Sequence, residues 1–277
     1  MLQKLTKKVK NRLRYELWKV NCRNTPRAVN TFTLPDGSPF RYPLNSAIGG
    51  AMFIDGFENL EVAYVRQVLQ PGDIFLDIGA NGGLFTVIAA KQVGPTGHVY
   101  AFEPGLRELA LLRENIALNG LTNVTVIERA VSDRSGTTRF AISTDGAMNS
   151  LAQTNHPGQK IEQWLTIQTV SLDDFIQQVP LAQVNFVKMD VEGAERLIFA
   201  GGEQFFRAYP GVTLLFEASD INAVGFGYTV KDFLLFLQGL GLKLFYFDEI
   251  GQLAPIQGED VSFGREIYNF VAISPKE

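Results

Sequence analysis

The stretch Ile74-Phe75-Leu76-Asp77-Ile78-Gly79-Ala80-Asn81-Gly82-Gly83-Leu84-Phe85-Thr86 decides the fold. An apolar run enters Asp77, three glycines follow within five residues, and an apolar helical pattern begins at once. That order predicts a strand, a tight turn and a helix start. Glycine suits the turn because a ligand can then lie against bare backbone, and because positive φ costs it nothing.

The same rhythm continues on the C-terminal side. Residues His98–Phe102 read as a buried strand closing on Glu103-Pro104, 107–118 as a helix capped by Asn119-Gly120, and Val124–Ile127 as a third strand. After an interruption, 184–189 ends on Asp190 and 212–216 on Glu217, with Lys243–Phe247 and Tyr268–Ile273 completing the set. Strand alternating with helix predicts an α/β, doubly wound, mostly parallel sheet. The interruption, 136–172, has two strand-like pieces (137–143 and 164–170) around a polar loop containing His156, a β-rich excursion of the kind that serves as a substrate lid.

The chain has 277 residues, 46% hydrophobic and 19% charged, which suits one soluble globular domain with an extension: residues 1–56, then 57–277. With a single cysteine, Cys22, and two histidines, His98 and His156, neither an internal disulfide nor a Cys/His metal centre can form; a cytoplasmic setting is expected. Residues 1–30 carry nine basic side chains against Glu16, so this segment is +8 and the remainder −12. Leu2, Leu5, Val9, Leu13, Leu17 and Val20 form one stripe of a basic amphipathic helix. That helix could lie peripherally on an anionic membrane or on an acidic partner. The expected arrangement is that its stripe docks on the protein's own acidic body, since such stripes usually face a core. In 25–60, turn signals at Pro35-Asp36-Gly37 and Gly49-Gly50 separate apolar pieces, 32–34 and 52–54, read as short strands. The acidic body has no basic groove interleaved with aromatics, which argues against nucleic acid as a partner.

Acids stand at the carboxyl ends of four strands: Asp77, Glu103, Asp190 and Glu217. Ligands bind at that edge of such sheets, and four like charges there call for a cationic ligand, a hydroxyl-rich ligand or acid/base chemistry. Glu103 lies 26 residues after Asp77, where a carboxylate can accept both hydrogen bonds of a ribose diol. A nicotinamide dinucleotide and S-adenosylmethionine both carry that ribose. A negative charge before the glycine turn opposes a pyrophosphate and suits a phosphate-free sulfonium.

Asp77-Ile-Gly-Ala-Asn-Gly-Gly, Phe102-Glu103-Pro104, Ala130-Val131-Ser132-Asp133, Ser171-Leu172-Asp173 and Lys188-Met-Asp-Val-Glu-Gly-Ala-Glu195 follow one another as in the FkbM family of S-adenosylmethionine-dependent methyltransferases, which the chain resembles over residues 57–217. The resemblance implies the class I methyltransferase (Rossmann-like) fold, with seven strands of which the last is antiparallel. It also implies O-methylation of a hydroxyl on a small molecule, sugar, or glycolipid or polysaccharide precursor. On this reading Gly79, Asn81 and Gly83 offer backbone to the methionine portion, Asp77 serves its ammonium group directly or through water, Glu103 holds the ribose, and Pro104, Arg129 and Ala130 line the adenine. The base that takes the acceptor's proton is expected to be Asp190, then Glu217, with Lys188 and Glu192 behind. Lys188 and Asp190 alternate on a strand and could simply pair. His156 is an alternative base, and Asp190 with Glu217 could instead hold a divalent ion, although no metal is assigned from sequence. An NAD-dependent oxidoreductase and a non-catalytic S-adenosylmethionine-binding protein are the competing readings.

Overall fold

The computed structural model describes residues 2–25, 28–248, 250–256 and 268–275. Helix α1 (Leu2–Asn24) leads into an antiparallel hairpin, β1 (Val29–Thr33) and β2 (Pro39–Pro43), then α2 (Ala47–Ile54) and α3 (Asn59–Val68). Residues 52–54, expected as a strand, are instead the last turn of α2. Ser46 caps that helix by accepting a hydrogen bond from the Gly49 amide. The two glycines read as a turn serve close packing: a Cβ on Gly49 would stand 2.0 Å from the Pro43 carbonyl oxygen, and one on Gly50 would press on the Trp18 ring.

The α/β body follows as β3 (Ile74–Ile78), α4 (Leu84–Val93), β4 (His98–Phe102), α5 (Leu106–Leu118) and β5 (Val124–Ile127). The excursion comprises β6 (Ala130–Val131), β7 (Gly136–Ser143) and β8 (Ile161–Val170), a separate sheet in which β8 pairs parallel with β6 and antiparallel with β7. The body resumes with α6 (Leu172–Gln178), β9 (Phe186–Met189), α7 (Glu195–Ala200), α8 (Glu203–Ala208), β10 (Thr213–Ala218), α9 (Asp220–Ala223), α10 (Val230–Gly239), β11 (Lys243–Phe247), β12 (Leu253–Pro255) and β13 (Tyr268–Ile273).

The main sheet runs β12-β11-β13-β10-β9-β3-β4-β5. Its strands from β5 to β10 are parallel, and β13 inserts antiparallel between β10 and β11. The expected seven strands with an antiparallel last member are all there, in the class I methyltransferase arrangement. A three-residue eighth strand, β12, lies at the edge and is too short to announce itself in sequence. Strand order reverses between β3 and β9, which opens a crevice at their carboxyl ends.

Both faces of the sheet are covered, so the central strands are apolar on both sides. Leu76, Val187, Leu214 and Ala272 face one core with α6 to α10, whereas Phe75, Phe186, Leu215 and Val271 face another with α3 and α4. Phe75 and Phe186 stack at 5.3 Å with no exposure.

The N-terminal helix corrects the expected docking. It sits on α2 through Trp18, whose Nε1 donates to the Leu44 carbonyl at 2.7 Å, and through Cys22. Val9, Leu13, Leu17 and Val20 point away and remain 51–62% exposed. No described helix is long and apolar enough to cross a membrane.

Phe186→Ala removes an aromatic ring shared by β9 and the β3 stack. We expect a loss of about 3–5 kcal/mol of unfolding free energy, read from denaturant midpoints at unchanged m-value.

Candidate functional site

A cavity of about 220 Å³ opens where β3, β4, β9 and β10 end. Its first wall is the glycine turn. Gly79 takes φ +79° and passes so close to β9 that a Cβ would lie 2.0 Å from the Asp190 carbonyl oxygen. Asn81 adopts a left-handed φ of +50°, which asparagine tolerates when its side chain bonds locally. Its Oδ1 accepts from the Gly82 amide at 2.7 Å and from the Tyr42 hydroxyl at 2.5 Å. Tyr42 belongs to β2, and its ring covers Gly82 so closely that a Cβ there would be 2.5 Å away. Gly79, Asn81 and Gly82 all line the cavity. Gly83 does not: it begins α4 and packs against Leu112 of α5.

Glu103 closes the second wall. Its Oε2 accepts from the Asn81 amide at 2.8 Å and its Oε1 from the Gly105 amide at 2.7 Å. Each oxygen keeps a lone pair, as binding a diol requires. Burial pushes this carboxyl up to about 8, against the pull of those amides and with help from neighbouring Glu108. Pro104, Arg129 and Ala130 lie on the same wall, with Phe102, Met148 and Leu151 supplying an apolar slot.

The third wall carries charge. Lys188 on β9 is buried and donates to Asp190 Oδ2 at 3.1 Å, so the ion pair foreseen as an alternative is formed. Burial alone would lower the Lys188 ammonium, but Asp190, Asp77 and Glu58 outweigh it and hold it above its ordinary value. Carboxylate oxygens of Glu58, Asp190 and Glu217 lie within 4.8 Å of one another, close enough to hold a divalent ion jointly. Burial raises Glu58 to about 8, with Lys188 opposing and Asp190 reinforcing the shift; Glu217 rises well above the usual carboxylate range by burial and then by Asp190. Glu192, at φ +54°, also lines this wall and accepts from Asn222 Nδ2 at 2.6 Å. His156 reaches the cavity from the excursion, which is tied down by hydrogen bonds from Ser150 Oγ to the Glu192 carbonyl and from the Ala47 amide to Asp145.

Asp77 is placed differently from the expectation. It is fully buried and does not line the cavity; its Oδ2 accepts from Thr86 Oγ1 at 2.5 Å. Burial pushes its carboxyl up, opposed chiefly by Lys188. It acts as an internal counter-charge to that lysine, leaving a direct contact with a ligand ammonium to other groups.

Three residues escaped the sequence reading. Tyr42 and Glu58 come from the N-terminal segment, and no local pattern announces a tyrosine or glutamate whose partners lie dozens of residues away. Gly82 was passed over in favour of Gly83, because neighbouring glycines look alike until a packing partner is known.

An adenosine-bearing sulfonium fits these walls. The turn offers bare backbone, Glu103 presents two carboxylate lone pairs, and the acidic third wall suits positive charge. Five buried polar atoms find no partner among the described residues; of these only Asn149 Nδ2 belongs to a residue lining the cavity, while Asp77 Oδ1 lies buried behind it.

A family described as Methyltransferase FkbM domain matches residues 77–244. The chain is 30% identical over 207 residues to a Streptomyces tacrolimicus protein named 31-O-demethyl-FK506 methyltransferase FkbM, covering 63% of this chain and 76% of that one. It is 32% identical over 157 residues to the 2-O-methyltransferase NoeI of Sinorhizobium fredii, covering 50% of this chain and 63% of that one. Among solved structures, an O-methyltransferase from Bacillus cereus in complex with SAH superposes with a TM-score of 0.47 at 14% identity, over 79% of this chain and 82% of that one.

Glu103 and Glu58 titrate near 8 and Glu195, buried beneath Tyr228, near 7, all above the ~4.3 of an unfolded glutamate. Between those values the folded chain holds more protons than the unfolded one. The resulting stability is complete below about pH 4 and is lost as pH rises through about 7 to 8. We expect the melting temperature of the cofactor-free protein to fall between about pH 4.5 and about pH 8, and Glu103→Gln to flatten that fall; thermal unfolding in a buffer series checks both.

Proposed function

Since the chain belongs to the FkbM methyltransferase family and is thus an S-adenosylmethionine-dependent methyltransferase, we propose that its acceptor is an aliphatic hydroxyl on a small molecule or sugar. Both relatives carry an oxygen acceptor in their names. The observation that carries the reading is the convergence of Glu58, Asp190 and Glu217 beside the glycine turn. An aliphatic hydroxyl must lose its proton as the new bond forms, which an acidic rim of raised basicity can accept. The dehydrogenase alternative lacks a basic wall for a pyrophosphate among the described residues, and the family that matches is a methyltransferase family.

S-adenosylmethionine supplies a methyl carbon made electrophilic by the adjoining sulfonium. The chain's task is positioning and proton removal. When the cofactor is bound, Glu103 would take the ribose hydroxyls, and Gly79, Asn81 and Gly82 would hold the methionine portion against backbone. Pro104, Arg129 and Ala130 would flank the adenine, to which Asn149 Nδ2 could donate.

On the acceptor side, Asp190 is held in place by its ion pair with Lys188. It accepts a hydrogen bond from the acceptor hydroxyl and fixes its direction. Glu217 stands next to it without a lysine; burial favours its protonated form, so once ionised it takes up a proton readily, and we assign it removal of the hydroxyl proton. Glu58 shares that proton across the rim and closes the site from the N-terminal side. This reading places Glu217 ahead of Asp190, the base preferred from sequence.

The test is release of S-adenosylhomocysteine from S-adenosylmethionine in the presence of a panel of sugar and polyol acceptors. Once an acceptor is found, Glu217→Gln is expected to lower kcat by about 10²–10⁴-fold while the melting shift induced by S-adenosylhomocysteine is unchanged. Wild-type turnover should persist in EDTA. Loss in EDTA with recovery on magnesium would assign the three carboxylates to a metal instead.

A further inference from the structure

Helix α1 carries two faces, and only one of them is used. Asn11, Trp18 and Cys22 form the inner face; Trp18 and Cys22 both reach the Leu44 carbonyl, and the Trp18 ring rests on Gly50 of α2. Val9, Leu13, Leu17 and Val20 occupy a wedge of roughly 80° on the opposite side, given 3.6 residues per turn. These four are 57%, 62%, 58% and 51% exposed.

The rim of that wedge is basic on both sides. Lys10 borders one edge, and Arg23, Arg12, Lys19 and Lys8 lie on the other side; Arg14 turns inward and donates to the Ile54 carbonyl of α2 at 3.0 Å. The single acid in this part of the helix, Glu16, is neutralised by Lys19 at 3.2 Å. An apolar stripe between two basic flanks is the pattern of a helix lying in the plane of a lipid surface, with aliphatic side chains in the acyl boundary and long basic side chains reaching back to headgroups.

We propose that α1 is an interfacial anchor that binds the protein peripherally to an anionic bilayer. Charge complementarity selects this occupant. A second copy of the helix would bring basic flanks against basic flanks, whereas anionic headgroups match them. The helix is mounted for the purpose: Trp18 locks it to α2, whose Ala47 and Ile48 line the cavity, so a bilayer under α1 lies one helix layer from the site. The proposal stands apart from the acceptor assignment, because lipid binding is measured without methyl transfer.

The experiment is co-sedimentation of the full chain with phosphatidylcholine vesicles with and without roughly a third of phosphatidylglycerol. Binding is expected on the anionic vesicles, at least about tenfold above neutral ones, and should weaken as salt rises from about 0.1 to about 0.5 M. Leu13→Ser/Leu17→Ser is expected to weaken binding at least about tenfold, with the melting shift induced by S-adenosylhomocysteine retained as proof of folding. Lys10→Gln/Arg12→Gln should weaken anionic binding severalfold. Absence of binding, equal binding to both vesicles, or unchanged binding by the leucine variant would overturn the proposal. So would a concentration-dependent dimer in lipid-free buffer that the leucine variant abolishes, which would assign the stripe to a second copy.

Discussion

The contact on which the structure turns is the crossing of Gly79 over the Asp190 carbonyl. It joins the first strand of the sheet to the fourth in sequence order at the point where strand order reverses. Any side chain at Gly79 would drive β3 and β9 apart, and the crevice between their ends would lose its floor. The crossing also sets the distance between the two halves of the site. The glycine turn offers backbone on one side, and Lys188 with Asp190 begins the charged rim on the other.

Around that crossing, polar groups are arranged so that each one holds another. Tyr42 fixes Asn81, Asn81 in its left-handed conformation offers its amide to Glu103, and Gly105 holds the other oxygen of the same carboxyl. The N-terminal hairpin is therefore part of the site, since its tyrosine props up the turn. Low local dielectric makes such linked bonds worth more than isolated ones, and makes the unpaired atoms Asp77 Oδ1 and Asn149 Nδ2 places where a further partner is favoured.

Charge follows the same economy. Five acidic side chains, Glu58, Asp77, Asp190, Glu192 and Glu217, gather near a single buried lysine. Lys188 keeps its proton because several carboxylates outweigh its burial, while Glu58 and Glu217 are pushed toward the neutral form by burial and by Asp190. One strand thus ends in a carboxylate paired with lysine, and its neighbours present carboxyls of raised proton affinity.

Much of this was legible in the chain itself. The parallel sheet followed from apolar runs alternating with helical patterns, because strands buried on both faces must be apolar throughout. The rim of the site followed from acids at four strand ends, because parallel strands all deliver their carboxyl ends to one edge. Glu103, Asp190 and Glu217 stand where that argument put them. What tertiary structure alone decided were the contacts between distant segments. Gly82 rather than Gly83 faces the cavity because Leu112 occupies the space above the other glycine. Asp77 turns inward because Thr86, one helical turn into α4, offers it a hydroxyl. Tyr42 and Glu58 join the site only because the hairpin and the α3 turn fold back over it. The N-terminal helix showed its periodicity in sequence but not its orientation, since an apolar stripe and a face bearing Trp18 and Cys22 compete for one docking surface. Trp18 took it, because a large ring over Gly50 and a hydrogen bond to Leu44 outweigh a narrow aliphatic wedge.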